Sequence, residues 1–225
     1  NMRLAAYPPG KGDITNMIRS YIHRCQKDGV KIVMNCEVTP ELIKEEKPDS
    51  VIIATGSKTL ILPIEGIDNP AIIHGSDLLD GKRAAGKKVL VVGGGMVGCE
   101  TAAFLGEQEH DVTVIEFRDT VGADVIHEHR VYLMKDFEDY GIKEITGAKV
   151  CKFYEDGVEY ETADGVRHES RGYDSVILSM GFRNYNPLEE KIKDLVPETH
   201  VIGDAIRARR ALDATKEAYE VASRI

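Results

Sequence analysis

Apolar residues recur at helical spacing through Ile14, Met17, Ile18, Tyr21, Ile22 and Cys25, with Asp13 ahead of the run and Gly29 beyond it. The pattern predicts an amphipathic helix capped by Asp13. Continuous apolar runs follow at residues 30–34 and, after a segment containing residues 41–47, at residues 51–54. Both runs predict strands buried on two faces, as in a parallel sheet. Residues 57–70 then carry Pro63, Pro70 and Gly66, with Gly56 just before them, which disfavours regular structure. An irregular crossing is expected there, with a domain boundary near Gly75.

Beyond that boundary the pattern is stronger. Residues 88–92 predict a strand, residues 93–98 a glycine turn, residues 99–107 a helix and residues 112–115 a second strand, which together make one complete βαβ unit. A second helix is expected over residues 127–140. The period then shortens to two around residues 150–154 and 158–162, divided by Asp156-Gly157 and followed by Asp164-Gly165, which predicts a β-meander. Residues 175–178 predict a further buried strand, and residues 205–225 are rich in helix formers. Asp49-Ser50-Val51-Ile52-Ile53-Ala54-Thr55-Gly56 is echoed by Asp174-Ser175-Val176-Ile177-Leu178-Ser179-Met180-Gly181. The echo indicates two domains of an α/β protein that end alike.

Composition narrows the function. The chain has 225 residues, enough for one large or two small domains, and 38 acidic against 29 basic side chains leave no electrostatic footprint for nucleic acid or an anionic membrane. No apolar run approaches the roughly 20 residues that span a bilayer, and the first residues form no signal peptide, so a cytoplasmic location is expected. Asn1 ahead of Met2 reads as a vector remnant before an engineered start within a longer chain. Cys25, Cys36, Cys99 and Cys151 form no C-x-x-C pair and no zinc or iron-sulfur spacing. His127-Glu128-His129 lacks the spacing of a metal motif, because adjacent helical residues diverge by about 100°. No metal site and no catalytic nucleophile are expected.

Gly93-Gly94-Gly95-Met96-Val97-Gly98 carries the chemistry. In a G-x-G-x-x-G turn the first glycine allows a tight bend, the second lets the main chain approach a pyrophosphate, and the third lets the helix pack on the strand. The helix N-terminus then presents N–H groups to phosphate. Glu116 ends the next strand, near the ~20-residue spacing of a ribose-binding acid. Its charge would accept both ribose hydroxyls and repel a 2′-phosphate, favouring NAD(H) over NADP(H). Arg118 opposes that preference, either as a 2′-phosphate ligand or as a surface charge.

The glycine motif with Glu100, joined to Ala54-Thr55-Gly56 before it and Val201-Ile202-Gly203-Asp204-Ala205 after it, resembles the two-dinucleotide-domain flavoprotein oxidoreductases. More narrowly, Ala5-Ala6-Tyr7-Pro8-Pro9-Gly10-Lys11 followed by a helix resembles the C-terminal part of NADH:flavin oxidoreductases of the old-yellow-enzyme type, such as 2-enoate and 2,4-dienoyl-CoA reductases. The resemblance covers nearly the whole chain. It implies a Rossmann-like nicotinamide-binding domain with a β-meander over residues 76–181, inserted in an incomplete FAD-binding domain formed by residues 1–75 and 182–225.

By the same resemblance Thr55, Gly56, Gly181, Gly203, Asp204 and Ala205 join the cofactor-binding residues, with the Gly203-Asp204 pair meeting the FAD ribityl or pyrophosphate region. Glu100 matches an acid near the nicotinamide carboxamide, and a plain helix N-terminal carboxylate explains it equally well. FMN in a (β/α)₈ barrel and an iron-sulfur cluster belong to segments absent from this chain, as does the first βαβ of the FAD domain. The isolated chain is therefore expected to bind FAD weakly or not at all and to reduce no alkene. A disulfide or ferredoxin reductase component, and a dinucleotide-binding module without turnover, stand as alternatives.

Overall fold

The computed structural model describes residues 2–225. It contains two compact units, one of residues Tyr21–Thr59 and Phe182–Ile225, the other of Met2–Ser20 and Leu60–Gly181. The first amphipathic run is helix α1 (Asp13–Lys27), whose first residue is Asp13 itself, with the Asn16 side-chain amide donating to the Asp13 carboxylate at 3.3 Å. Gly29 stops it with φ +76°, and the Val30 N–H returns to the Cys25 carbonyl at 2.9 Å. No residue of α1 is buried.

Residues 30–34 do not form the expected strand. They join no ladder, and Met34 is 75% exposed. An extended run becomes a strand only when a neighbour takes its main-chain hydrogen bonds, and none of the described residues does so. Helix α2 (Pro40–Glu46) follows, with the Thr39 side chain accepting the Leu42 N–H and Pro40 placed where no N–H is needed. Then come β1 (Ser50–Ile53) and β2 (Ser57–Thr59).

The other unit is built on β3 (Ile73–His74), α3 (Gly75–Leu79), β4 (Lys88–Val92), α4 (Met96–Glu107), β5 (Asp111–Ile115), α5 (His127–Asp139) and β6 (Lys143–Ile145). A meander of β7 (Lys149–Tyr154), β8 (Gly157–Glu161) and β9 (Arg167–Ser170) precedes β10 (Ser175–Leu178). The parallel sheet has the order β3-β10-β4-β5-β6, with Val91 opposite both Ile177 and Val114. Alternate side chains divide its faces. Val89, Val91, Val112 and Val114 pack on Cys99, Ala102 and Leu105 of α4 and Phe137 of α5. Leu90, Val92, Ile115, Val176 and Leu178 pack on Val150, Phe153 and Val158 of the meander. Burying each such side chain is worth about 1.5–3 kcal/mol, and the two-sided burial explains the continuous apolar strands. The fold is thus α/β, a Rossmann-like parallel sheet with helices on one face and a meander on the other.

The longer segment of this unit starts at Leu60, ahead of the expected Gly75 boundary, with Ile72 and Ile73 buried and β3 paired with β10. After it come β11 (Phe182–Asn184), α6 (Glu189–Ile192), β12 (Glu198–Val201) and α7 (Ala211–Ala222). The echoed sequences are β1 and β10, each ending at a left-handed glycine, Gly56 at φ +77° and Gly181 at φ +97°. The strands that follow, β2 and β11, pair antiparallel with Thr59 opposite Phe182.

In the first unit β1 pairs, among the described residues, with β12 alone, in a two-stranded parallel sheet. Ile53 packs with Ile43, Leu188 and Ile192, whereas Ile52 is 41% exposed, so β1 is covered on one face and not on two as its apolar run suggested. The helical tail also starts later than its composition implied. Residues Gly203–Ala205 form a 3-10 turn, and α7 begins where the Arg210 N–H finds the Asp213 carboxylate at 3.1 Å. No helix among the described residues is long and apolar enough to cross a membrane.

Candidate dinucleotide site

The glycine turn lies at the C-terminal ends of β4, β5 and β10, where the chain leaves β4 for β5 on one side while β10, later in the chain, flanks β4 on the other, the kind of place at which open parallel sheets form ligand crevices. A cleft of about 300 Å³ opens there. Gly93, Gly95, Met96, Val97, Glu116, Arg118 and Gly181, all expected from sequence, line it.

Two glycines have steric reasons that can be stated as distances. Gly93 has φ +107°, and a side chain on it would begin 2.5 Å from the Ser179 carbonyl oxygen. A side chain on Gly98 would begin 1.8 Å from the Gly93 carbonyl oxygen, so α4 can lie on its strand only with hydrogen there. Gly94 and Gly98 shape the turn without lining the cleft. The Gly93 N–H donates to the Ile115 carbonyl at 2.9 Å and the Ser179 N–H to the Val92 carbonyl at 2.8 Å, which ties the turn to both neighbouring strands.

Glu116 stands at the end of β5 with both carboxylate oxygens engaged. Oε2 accepts the Gly94 N–H at 2.6 Å, and Oε1 accepts the Arg118 N–H at 3.0 Å. Each oxygen has a second lone pair, so the group is oriented and still able to accept from a sugar hydroxyl. Phe117, 68% exposed, lines the same end of the cleft.

Glu100 lies outside that lining. Its carboxylate is 8% exposed, receives the Lys11 ammonium as an ion pair and has His129 Nε2 at 3.6 Å. Neither Lys11 nor His129 is marked as its partner by any local pattern in the sequence. Cys99, one residue earlier, is fully buried and donates from Sγ to the Gly94 carbonyl at 3.2 Å. Burial pushes its thiol up to about 12.

The remaining expected residues gather in the other unit. Thr55 and Gly56 leave β1, and Gly203, Asp204 and Ala205 leave β12, so the two groups lie at the same end of adjacent parallel strands. Asp204 Oδ2 accepts from Ser57 Oγ at 3.1 Å and Oδ1 from the Arg209 N–H at 3.0 Å. The Gly203 N–H donates to the Glu217 carboxylate at 2.7 Å, and Arg209 pairs with the same carboxylate. Thr55 Oγ1 donates to the Tyr185 carbonyl, and the Gly56 carbonyl accepts the Tyr185 N–H at 2.9 Å.

Asp124, Ala148, Val150, Ser179 and Met180 also line the cleft and were not singled out from sequence. Ser179 and Met180 sit inside the echoed segment, which could have marked them. Asp124 carries no local signal.

A crevice at the strand ends, a glycine turn and an oriented carboxylate define a pyridine-nucleotide-binding domain of the oxidoreductase type. Residues 13–199 match the pyridine nucleotide-disulphide oxidoreductases, and the chain belongs to that family. It is 30% identical to bilirubin reductase of Mediterraneibacter gnavus (strain CC55_001C) over 99% of this chain and 34% of that protein. It is likewise 30% identical to cinnamate reductase of Clostridium sporogenes over 97% of this chain and 33% of that protein. Among solved structures, 2-naphthoyl-CoA reductase in complex with 2-naphthoyl-CoA superposes with a TM-score of 0.92 at 31% identity, over 100% of this chain and 34% of that one. The chain thus spans about a third of the length of these relatives, in keeping with the resemblance to the enoate-reductase type of flavoprotein.

Proposed function

We propose that this chain is the NADH-accepting part of a larger flavin reductase, which in the intact protein passes reducing equivalents through FAD to an enoate-like alkene. The observation that carries this reading is the Glu116 carboxylate, held by two main-chain N–H groups beside the glycine turn. The residues fit a dinucleotide: Glu116 would take the adenosine ribose, and Met96 at the start of α4 would face the pyrophosphate. Ser179, Met180 and Gly181 would line the nicotinamide end. The negative charge at Glu116 selects NADH, against which the Arg118 guanidinium would favour a 2′-phosphate.

For FAD the fit is partial. Thr55, Gly56, Gly203, Asp204 and Ala205 are grouped at two strand ends, which supports half of a flavin site. The uncovered side of β1 and the exposed apolar residues of α1 and 30–34 support a further segment completing it. FMN and an iron-sulfur cluster would belong to parts outside this chain. When bound, NADH supplies a hydride that FAD accepts. The residues here bind and orient the dinucleotide, so none is assigned as a catalytic acid or base.

Calorimetric titration with NADH and NADPH, run beside the Glu116→Ala variant, tests the reading. NADH should bind more tightly than NADPH, and the variant should lose about tenfold in NADH affinity. Absence of binding to either nucleotide by the unaltered chain would overturn it.

A further inference from the structure

Helix α4 begins at Met96 with Gly95 as its cap residue, and Gly95 has no side chain to satisfy the first helical N–H groups. The missing acceptor comes from elsewhere in the chain. Asp124, in the loop between β5 and α5, accepts the Met96 N–H through Oδ1 at 2.9 Å. Its Oδ2 lies 3.3 Å from the point at which a Gly95 side chain would begin. Asp124, Gly95 and Met96 all line the dinucleotide cleft.

The loop is fastened on both sides of Asp124. The Gly122 N–H donates to the Gly94 carbonyl at 2.7 Å, Arg130 donates to the Val121 carbonyl at 3.1 Å, and Val121 and Val125 are buried in the core of this unit. Asp124 itself is exposed to the cleft side of those anchors. The carboxylate is therefore placed by the packing of its neighbours, at the one end of α4 where the helix dipole favours negative charge.

We propose that Asp124 is the affinity-setting residue of this site, its carboxylate holding the position that the pyrophosphate of a dinucleotide needs. The inference rests on the dinucleotide reading of the cleft. An anion bound at Met96 must displace the Asp124 oxygen from the N–H, and two like charges at that distance repel unless one withdraws. Asp124 thus lowers affinity for every ligand that brings phosphate to the helix. It leaves ligands that bind through the ribose and base untouched, because Glu116 takes the Gly94 and Arg118 N–H groups whereas Asp124 takes that of Met96.

The test is isothermal titration of the chain and its Asp124→Asn variant with ADP-ribose and with adenosine, which lacks phosphate. Asparagine keeps an acceptor oxygen for the Met96 N–H and removes the charge. Asp124→Ser, with a hydroxyl acceptor, serves as a second variant should the first melt early. ADP-ribose should bind the neutral variants about tenfold more tightly than the unaltered chain, with adenosine affinity unchanged. Equal or weaker ADP-ribose binding in the neutral variants, with adenosine still bound, would overturn the role of Asp124 and leave the dinucleotide reading standing. Failure of the unaltered chain and the variants to bind either ligand would remove that reading and this inference with it.

Discussion

Glu116 Oε2 accepts the main-chain N–H of Gly94 at 2.6 Å, so the acid that would read the ribose also fastens the glycine turn to the end of β5. A glutamine has one acceptor oxygen where the carboxylate has two, and it carries no charge. Glu116→Gln should therefore weaken NADH binding by about tenfold while weakening NADPH less, so the ratio of the two dissociation constants narrows. A ratio that stays constant in calorimetric titration would show that charge at this position does not select the cofactor.

Gly98 is constrained by the Gly93 carbonyl, 1.8 Å from the place a methyl would occupy. Backbone oxygen cannot rotate away as a side chain can. Gly98→Ala should push α4 off β4 and cost about 3 kcal/mol, the upper part of the range for overpacking. Urea unfolding followed by circular dichroism measures the loss, and a midpoint equal to that of the unaltered chain would refute the contact.

Cys99 is buried, and its thiol is pushed up to about 12, so almost no thiolate exists at pH 8. Cys25 and Cys36 are exposed. Iodoacetamide at pH 8 should label Cys25 and Cys36 in the folded chain and reach Cys99 only in denaturant. Peptide mass mapping distinguishes the sites, and early modification of Cys99 would show that α4 opens far more readily than its packing implies.

The Arg209 guanidinium, and after it the Gly203 N–H, holds the Glu217 carboxyl below the ordinary glutamate value of 4.5. A carboxylate with a lowered folded value stabilises the fold above its unfolded value, and the contribution disappears as pH falls through the folded one. Glu217→Gln should accordingly lower the melting temperature at pH 6 to 7 and converge with the unaltered chain in strong acid. Parallel melting curves across the whole pH range would contradict the assignment.

Much of this protein was legible along the chain. The βαβ unit around Gly93-Gly94-Gly95-Met96-Val97-Gly98, the α5 helix, the meander and β10 follow from periodicity and turn chemistry, which act over a few residues. Glu116 was legible for the same reason, since its place after β5 depends on local spacing. Residues 30–34 were misread because their apolar run describes a strand's surface without saying whether a neighbour exists to pair with it. The one-sided burial of β1 has the same origin.

What the sequence determined by itself was the α/β class, the glycine turn and the place of Glu116 at the end of β5, because each is imposed by local backbone geometry and hydrophobic period. Only the tertiary structure decided that Lys11 pairs with Glu100 across 89 positions and that Asp124 reaches Met96 across 28. It alone also set Ile53 opposite Val201, so that the residues leaving β1 and β12 lie at the same strand end. Charge and hydrogen-bond pairing depend on distance in space, and chain separations of that length carry no trace of it in any local pattern.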